Sequence, residues 1–454
     1  MTVQCGDCIH KVDFAALLQI LSPSNLTSEA GDSASSSGNI FSSAALVAGT
    51  TVGAGILALP AATLPVGFLP SSALMLGSWL YMVVSGLLIA EANLQTAQQL
   101  DKKDVGLLTT IQYSLGNTGL VASGILYIFI HYALLIAYVA RGGDLLSIAI
   151  RSIAKVILGA VATYSEQSIS SIAAMPLWWG HLIFVVLFAV VLSKTSYRQV
   201  ARFNSILVAC VIAAFISLLT FTASQADITR LQVHHWKHIS TVVPVMFVAF
   251  VYQNVVPVIT KKLEGNRQKI QQSIWLGSLI PLLMFSLWNA TILATVPSNI
   301  QISGIQAPGI VDPLEWLRSH TNNSSLSIAI SVFSETAIAT SFIGFVFGLL
   351  DVFEDIFSHQ LIEQNRKLFF YSLTFIPPFF LSLLNPNIFF NAIDIAGAFG
   401  ISILFGIIPA LMIWKLRSNE ASSISTLLGS PPLLVGMIAI ATTVMLQKIA
   451  NLAQ

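Results

Sequence analysis

The chain has 454 residues, of which 55% are hydrophobic and only 9% are charged, and its formal net charge at pH 7 is +1. A mean hydropathy of +0.80 over this length excludes a water-soluble protein, because a soluble surface needs far more charge. The 21 basic residues form no stripe or tail that could hold a phosphate backbone, so we expect a lipid bilayer around the chain and no nucleic-acid partner.

Residues 1 to 38 are polar and rich in serine, which predicts a flexible tail. Cys5, Cys8 and His10 lie in this tail, but a single Cys-x-x-Cys beside one histidine lacks the second ligand pair of a structural zinc site. We therefore predict neither a metal site nor a cofactor. No apolar run follows a basic start, so no secretory signal is predicted.

Residues 39 to 454 are predicted to form one transmembrane domain, because most of this stretch divides into apolar runs of about 20 residues, the length that crosses a bilayer as a helix. Eleven helices are predicted, in a group of five at about 41–223, a second group of five at about 239–413, and one further helix. Their ranges are 41–66, 72–97, 119–143, 178–193 and 203–223, then 239–260, 272–296, 326–351, 368–384 and 389–413, and finally 432–450.

The distribution of basic residues predicts the orientation of these helices. If the N-terminus is cytoplasmic, 14 of the 21 lysines and arginines fall on the cytoplasmic side and seven on the other. Short cytoplasmic loops carry such an excess in membrane proteins. The bias therefore favours an N-terminus on the cytoplasmic side.

The predicted first helix contains the sequence GTTVGAGILALP at residues 49 to 60, with three glycines and a proline inside a span. Both residue types disfavour a helix, and unwound backbone survives at membrane depth only where it is buried in protein or lines a cavity. The pattern predicts a break whose free N–H groups can bind an anion. Its candidate residues are Thr50, Thr51, Gly53, Ala54 and Gly55. The alternative is close helix packing, since Gly49 and Gly53 have the GxxxG spacing.

The predicted sixth helix has a similar irregularity in PVMFVAFVYQNVVP, residues 244 to 257, which places Tyr252, Gln253 and Asn254 between two prolines at mid-membrane depth. Because the first and sixth helices begin the two groups of five, the paired interruptions indicate an inverted-repeat transporter with its site between the breaks. The alternative for the three polar residues is ordinary hydrogen bonding between helices.

Four segments carry a resemblance to a known family: GTTVGAGILALP at 49–60, HYALLIAYVARGG at 131–143, TSFIGFVFGLLDVFED at 340–355 and PPFFLSLLNPNIFFNAIDIAGAFG at 377–400. In these segments the chain resembles the aromatic amino acid permeases for tyrosine and tryptophan, in the amino acid, polyamine and organocation superfamily. The resemblance implies an all-α polytopic membrane protein with a five-plus-five inverted-repeat, leucine-transporter-type fold and an eleventh helix. It also implies transport of an amino acid with a coupling cation by alternating access.

The resemblance further implies roles for residues at the two breaks. The substrate carboxylate would meet the backbone at Thr51, Gly53 and Gly55, while the sixth helix would hold the amine and the side chain. The sixth-helix candidates are Phe247, Ala249, Phe250, Tyr252, Gln253 and Asn254. Relatives usually carry small residues in this second break, where this chain has Val251 and Asn254, so the identity of the amino acid stays open.

Ionisable residues within the predicted spans are candidates for proton coupling, and His131, Glu335 and Asp394 are selected on that basis. His131 is preferred because it lies midway along its helix. Thr340 and Ser341 lie where sodium-coupled relatives pair hydroxyls with first-helix carbonyls, so sodium is the alternative ion.

Tyr132 and Tyr138 are six residues apart on the predicted third helix, about 120° from sharing a face. Only one of them can point at the site, and Tyr132 is preferred, with Tyr138 assigned to the core.

Taken together, the sequence predicts a proton-coupled symporter of an aromatic or other neutral amino acid, in a plasma membrane or a plastid envelope. A non-transporting nutrient receptor of the same fold is an alternative. An intramembrane enzyme is not predicted, since the spans contain no metal motif, no GxSxG and no facing pair of aspartates.

Overall fold

The computed structural model describes residues 40–453 except for 54, 103, 161–175, 177, 224, 233, 298–311, 321–323, 358–362, 386 and 418–428. The described chain is helical, joined by turns and one isolated antiparallel bridge between Gly67 and His234. The predicted tail, with its cysteines and histidine, and Ala54 of the first break lie outside the described residues.

The described helices are numbered in chain order. Those before residue 230 are α1a Ile40–Thr51, α1b Gly55–Thr63, α2 Phe68–Gln99, α3 Leu107–Ala160, α4 Trp178–Lys194 and α5 Tyr197–Ala223. Those after it are α6a Val243–Ala249, α6b Val256–Lys262, α7 Arg267–Thr295, α8 Ser324–Phe357, α9 Glu363–Ser382, α10 Ile388–Arg417 and α11 Pro431–Leu452. A short helix, Pro313–His320, precedes α8.

Eight of these described helices are long and apolar enough to cross a membrane, and the bent pair α1a and α1b makes nine. α4 is apolar but has only 17 residues, and α9 does not pass the same test. The chain is therefore a multi-pass integral membrane protein.

The centre of the bundle lies around α6, α2 and α10. Of the most apolar 18-residue window of each helix, 72% is buried inside the protein in α6 and in α10, and 67% in α2. In α11 and α5 only 22% and 28% of that window is buried. The fully buried large side chains include Trp288 of α7 and Tyr252, Phe247 and Phe250 around the end of α6a. The predicted sixth helix thus occupies the core, and α5 and α11 present most of their surface to lipid.

Local sequence explains several helix boundaries. Asn266 caps α7, since its side chain accepts a hydrogen bond of 3.1 Å from the backbone N–H of Lys269. Gly116, with φ of 74°, kinks the chain between Leu107 and the span that the sequence predicts from residue 119. α3 therefore begins earlier than predicted, because a short helical segment precedes the kink.

Two prolines inside helices free a carbonyl four residues earlier, because proline has no N–H to complete the helical bond. A side chain of a neighbouring helix donates to each freed carbonyl. Trp288 Nε1 donates to Ile56 O ahead of Pro60, at 3.0 Å, and Tyr132 Oη donates to Leu373 O ahead of Pro377, at 2.9 Å. These bonds tie α7 to α1b and α3 to α9 at points where the helices would otherwise leave a buried polar group unpaired.

Candidate functional site

The predicted break in the first helix is present. α1a ends at Thr51, α1b starts at Gly55, and the two halves are bent by 57°. The backbone N–H of Val52 donates to Ala48 O at 2.9 Å and closes α1a, and helical bonding resumes where Ile56 N–H donates to Gly53 O. The glycine run thus interrupts a span, as its composition predicts.

The predicted irregularity in the sixth helix is also present. α6a ends at Ala249, where the N–H of Phe250 donates to Met246 O at 3.0 Å, and α6b starts at Val256 after a single 3₁₀ turn. The chain between the two halves is not α-helical. Both halves therefore present helix ends at the same break.

The two breaks lie against each other. A Cβ placed on Gly55 would lie 3.0 Å from the Cα of Ala249, and one placed on Gly53 would lie 2.6 Å from the Oγ of Ser341 in α8. A Cβ on Gly49 would meet nothing within 4 Å. Gly53 and Gly55 are thus the positions where the absence of a side chain permits close approach, and the GxxxG reading of Gly49 with Gly53 does not describe this packing.

The two threonines of the first break use their hydroxyls within α1a. Thr50 Oγ1 donates to Leu46 O and Thr51 Oγ1 donates to Val47 O, each at 2.8 Å. Their protons are therefore not directed at the break. A ligand in the break would meet the backbone around Gly53 and Gly55 rather than these hydroxyl protons.

The polar residues of the second break mainly join α6 to α2. Tyr252 Oη and Gln253 Nε2 both donate to Met82 O, at 3.1 and 3.2 Å, and both side chains are buried. Asn254 is exposed. The alternative of ordinary hydrogen bonding between helices therefore describes Tyr252 and Gln253.

The aromatic candidates at the end of α6a pack against α2 and α7. Phe247 stacks on Tyr81 of α2, with ring centroids 4.9 Å apart, and Phe250 packs against Phe285 of α7 at 5.3 Å. Ala249, one of the six sixth-helix candidates, contacts the first break at Gly55.

Tyr138, rather than Tyr132, is the α3 tyrosine beside the first break. Its hydroxyl shares a hydrogen bond with Ser341, which faces Gly53. Tyr132 instead bonds to Leu373 O of α9. Tyr132 is the tyrosine that the sequence favours for the site, but its hydroxyl is bonded to the carbonyl that Pro377 leaves without a helical partner.

The two α8 residues proposed for an ion differ in position. Ser341 faces the first break, whereas Thr340 Oγ1 donates to Ala337 O of its own helix at 2.9 Å. In the described part of the chain, no three His, Cys, Asp or Glu side chains come together as ligands for a metal ion.

His131 lies in the seam between α3 and α8. Its Nδ1 is 2.8 Å from Tyr127 O, and because a carbonyl only accepts, Nδ1 carries a proton. Nε2 faces Gly348, where a Cβ would lie 2.7 Å away. Asp351, one turn further along α8, is near enough to Tyr127 for its charge to act on that hydroxyl. Asp351, the last residue of the predicted eighth span, is not among the candidates predicted from the sequence.

Glu335 lies in a charged cluster with Arg141 of α3. The positive charge of the Arg141 guanidinium attracts the Glu335 carboxyl, and Arg141 forms an ion pair with Asp312. Its Cζ atom lies 5.9 Å from the centroid of the Phe389 ring. The side chains of Arg141 and Asp312 are 14% and 12% exposed. The cluster therefore connects α3, α8 and α10 with the start of the short helix before α8.

Other ionisable residues within or beside the predicted spans, which are not among the sequence candidates, form buried or partly buried pairs. Glu91 of α2 is 5% exposed and pairs with Arg267 at 2.9 Å, and His181 of α4 pairs with Asp144 of α3. A scan for single charges inside each apolar run would have found Glu91 and His181, which average hydropathy conceals.

Asp394 pairs with Lys448 and so fastens α11 to α10. We expect Asp394→Leu and Lys448→Leu each to lower the unfolding temperature in detergent, because each leaves a partly buried charge without its partner. The double variant should lose less stability than the sum of the two single losses, with a coupling energy of about 1 kcal/mol or more in a double-mutant cycle. Additive losses in thermal melts would contradict a direct interaction.

A cavity of about 550 Å³ lies away from the breaks, in a groove between α10 and α11. Its lining residues are Leu411, Trp414, Val435, Ile438, Ala439, Thr442 and Thr443. The wall is mainly apolar, and only 22% of the most apolar window of α11 is buried inside the protein.

The chain is similar to known transport proteins along most of its length. The profile of the tryptophan/tyrosine permease family matches residues 36–448. The tryptophan-specific transport protein of Pseudomonas aeruginosa is 29% identical over 411 residues, covering 86% of this chain and 89% of that protein. Tyrosine-specific transport system 1 of Haemophilus influenzae is 28% identical over 384 residues, covering 83% and 88%.

The manganese transporter of Eremococcus coleocola shares the fold, with a TM-score of 0.54 at 14% identity, covering 99% of this chain and 89% of that one. At this identity the likeness concerns the fold alone.

Proposed function

The chain belongs to the tryptophan/tyrosine permease family, and from that premise we propose that it is a proton-coupled symporter of tryptophan or tyrosine. The family is one of transport proteins, so the chain is not an enzyme. Two relatives, a tryptophan-specific and a tyrosine-specific transport protein, support an aromatic amino acid as the substrate.

The observation that carries the proposal is the contact between the two breaks at Gly55 and Ala249. α1b begins at Gly55, so its first N–H groups give that end a partial positive charge, while α6a ends at Ala249 with carbonyls of partial negative charge. An amino acid carries a carboxylate and an ammonium on one carbon. Two opposite helix ends in contact suit both groups at once.

Proton coupling is the form of coupling that the polar residues favour. His131 is buried between α3 and α8 with Tyr127 and Asp351 nearby, and its seam continues to Tyr138 and Ser341 beside Gly53. A sodium site would need several oxygen ligands at one point, and the Thr340 hydroxyl is bonded within its own helix.

The proposed transport cycle is alternating access in a five-plus-five inverted repeat, with α11 as the additional helix and the N-terminus cytoplasmic. The interruptions in the first helix of each group of five support this arrangement. The two relatives come from bacteria, so they support a plasma membrane and give no support to a plastid envelope.

The test is uptake of labelled tryptophan and tyrosine into proteoliposomes under an imposed pH gradient, with a sodium gradient as the second arm. We expect saturable uptake that follows the pH gradient and loses that dependence in His131→Gln. Uptake driven only by sodium would overturn proton coupling. Binding without counterflow would instead identify the nutrient receptor, and no binding of any neutral amino acid would reject the site.

A further inference from the structure

A second buried histidine joins three helices at one end of the bundle. His181 of α4 is 5% exposed, and both of its ring nitrogens have partners. Nε2 is 3.1 Å from Asp144 Oδ1 of α3, and Nδ1 is 3.0 Å from Ser382 Oγ of α9. The arrangement lies outside the two breaks, and His131 takes no part in it.

Glycines allow α3 and α4 to approach closely enough for these bonds. A Cβ on Gly143 would lie 2.6 Å from the Cα of His181, and one on Gly180 would overlap Gly143 O and Ser147 Oγ. The packing fixes the backbone of α4 against α3, so the imidazole lies at a fixed distance from Asp144.

Two arrangements of the protons at this site are compatible with these distances. A carboxylate only accepts, so Nε2 of His181 donates to Asp144 in both. If the Ser382 hydroxyl donates to Nδ1, the imidazole is neutral. Ser382 Oγ also lies 2.7 Å from Phe379 O. If the hydroxyl donates to that carbonyl instead, Nδ1 must donate to Ser382, and the imidazole is protonated.

Both ring nitrogens therefore have a hydrogen-bond partner in either protonation state, and the two states differ by rotation of the Ser382 hydroxyl. A buried histidine normally resists a proton because the charge loses its water. Here the Asp144 carboxylate balances the charge, and Ser382 accepts the additional N–H. Gain of a proton at this site leaves no buried donor or acceptor without a partner.

The residues at the start of α4 indicate that the site is near a membrane surface. Trp178 and Trp179, the first two residues of α4, are each 40% exposed and stack on each other, and tryptophan is enriched at membrane interfaces. His181 follows within one turn, and the Asp144 side chain is 34% exposed. Arg141, one turn earlier on α3, is paired with Asp312.

We propose that His181, held between Asp144 and Ser382, is a proton-binding site that is loaded through Asp144 from the membrane surface where α4 begins. This proposal rests on the proton coupling proposed above and adds a second site to it. Imidazole suits the task because it is neutral with one N–H and cationic with two, and both N–H groups have an acceptor here.

The direct test measures the protonation of the His181 imidazole. Full-length protein labelled with ¹⁵N-histidine is reconstituted in liposomes, and the imidazole signals are followed by solid-state NMR as the pH is changed. His181→Gln identifies the His181 signal by its loss, while glutamine retains a donor and an acceptor at the site. His234→Gln is the matched control, since His234 is exposed and lies outside the helices.

We expect the His181 signal to change reversibly from neutral to protonated imidazole as the pH is lowered, and Asp144→Asn, which removes the carboxylate that accepts from Nε2, to abolish this change while the protein stays folded. A signal that stays neutral at every pH at which the protein remains folded would overturn the proposal. So would a titration unaffected by Asp144→Asn.

Transport supplies a separate readout. We expect His181→Gln to retain counterflow of labelled tryptophan while its net uptake no longer responds to external pH, and His234→Gln to match the wild type in both. A pH profile of His181→Gln that coincides with the wild type would overturn the coupling role. Failure of the wild type to transport any aromatic amino acid would reject the proposed function instead, while the NMR titration would still decide whether His181 binds a proton.

Discussion

Uptake of tryptophan or tyrosine is expected to fall by about 100-fold or more in Gly53→Leu, while the variant still reaches the membrane. A Cβ at Gly53 would already lie 2.6 Å from Ser341 Oγ, and a leucine side chain needs far more space. α8 and the first break would have to separate, which displaces the backbone that we assign to the substrate carboxylate. Initial rates of uptake in proteoliposomes, normalised to protein in the membrane, measure the effect.

Gly49→Leu is the matched control for this experiment. Gly49 lies in the same glycine run, but a Cβ there would meet nothing within 4 Å, so transport should stay close to that of the wild type. The smaller variant Gly53→Ala tests the contact between position 53 and Ser341. Its methyl group would meet Ser341 Oγ, and Ser341→Ala removes that oxygen. The double variant Gly53→Ala/Ser341→Ala should therefore transport better than Gly53→Ala alone. Normal uptake by Gly53→Leu would remove the first break from the site.

The second large effect is expected from Trp288→Phe, which should raise the KM for uptake by about tenfold or more. The indole N–H of Trp288 donates to Ile56 O, the carbonyl that Pro60 leaves without its helical partner. Phenylalanine leaves that buried carbonyl unpaired, at a cost of about 1–3 kcal/mol. Because α1b begins one residue before Ile56, its N-terminal end should lose its fixed orientation, and substrate affinity should fall more than the maximal rate.

A backbone rescue distinguishes this role from general packing in the core. Pro60→Ala supplies the missing N–H to Ile56 O, so Trp288→Phe should have much less effect in that background. Trp275→Phe on the same helix is the control, because Trp275 is 43% exposed and packs edge-on against Trp79. Equal losses from Trp288→Phe with proline or alanine at position 60 would show that the indole hydrogen bond is not the cause.

The positions of the helices could be read from the sequence because apolar runs of membrane-spanning length are a strong signal. The breaks could be predicted as well, since Gly53, Gly55 and the polar residues at 252–254 disturb such runs. The extra segment before Gly116 could not be predicted, because it is too short to form an apolar run and depends on the positive φ of that glycine.

The orientation of individual side chains was harder to predict than the breaks. Periodicity places Tyr132 and Tyr138 on different faces of α3, but it does not say which face meets α8. Tyr132 is held by a carbonyl that a proline 245 residues later releases, and such pairing over a long sequence distance leaves no local signal. The same limit applies to His181, whose partners come from α3 and α9.

The bond between Trp288 and Ile56 also bears on how the protein is made. Its two partners are 232 residues apart in sequence, so α1b enters the membrane long before α7 is synthesised. Until then the carbonyl of Ile56 has neither its helical N–H nor the indole, and unpaired backbone is costly in lipid. The Ile56 carbonyl therefore gains its side-chain partner only after α7 has been inserted, so the first half of the chain completes its hydrogen bonding late in synthesis.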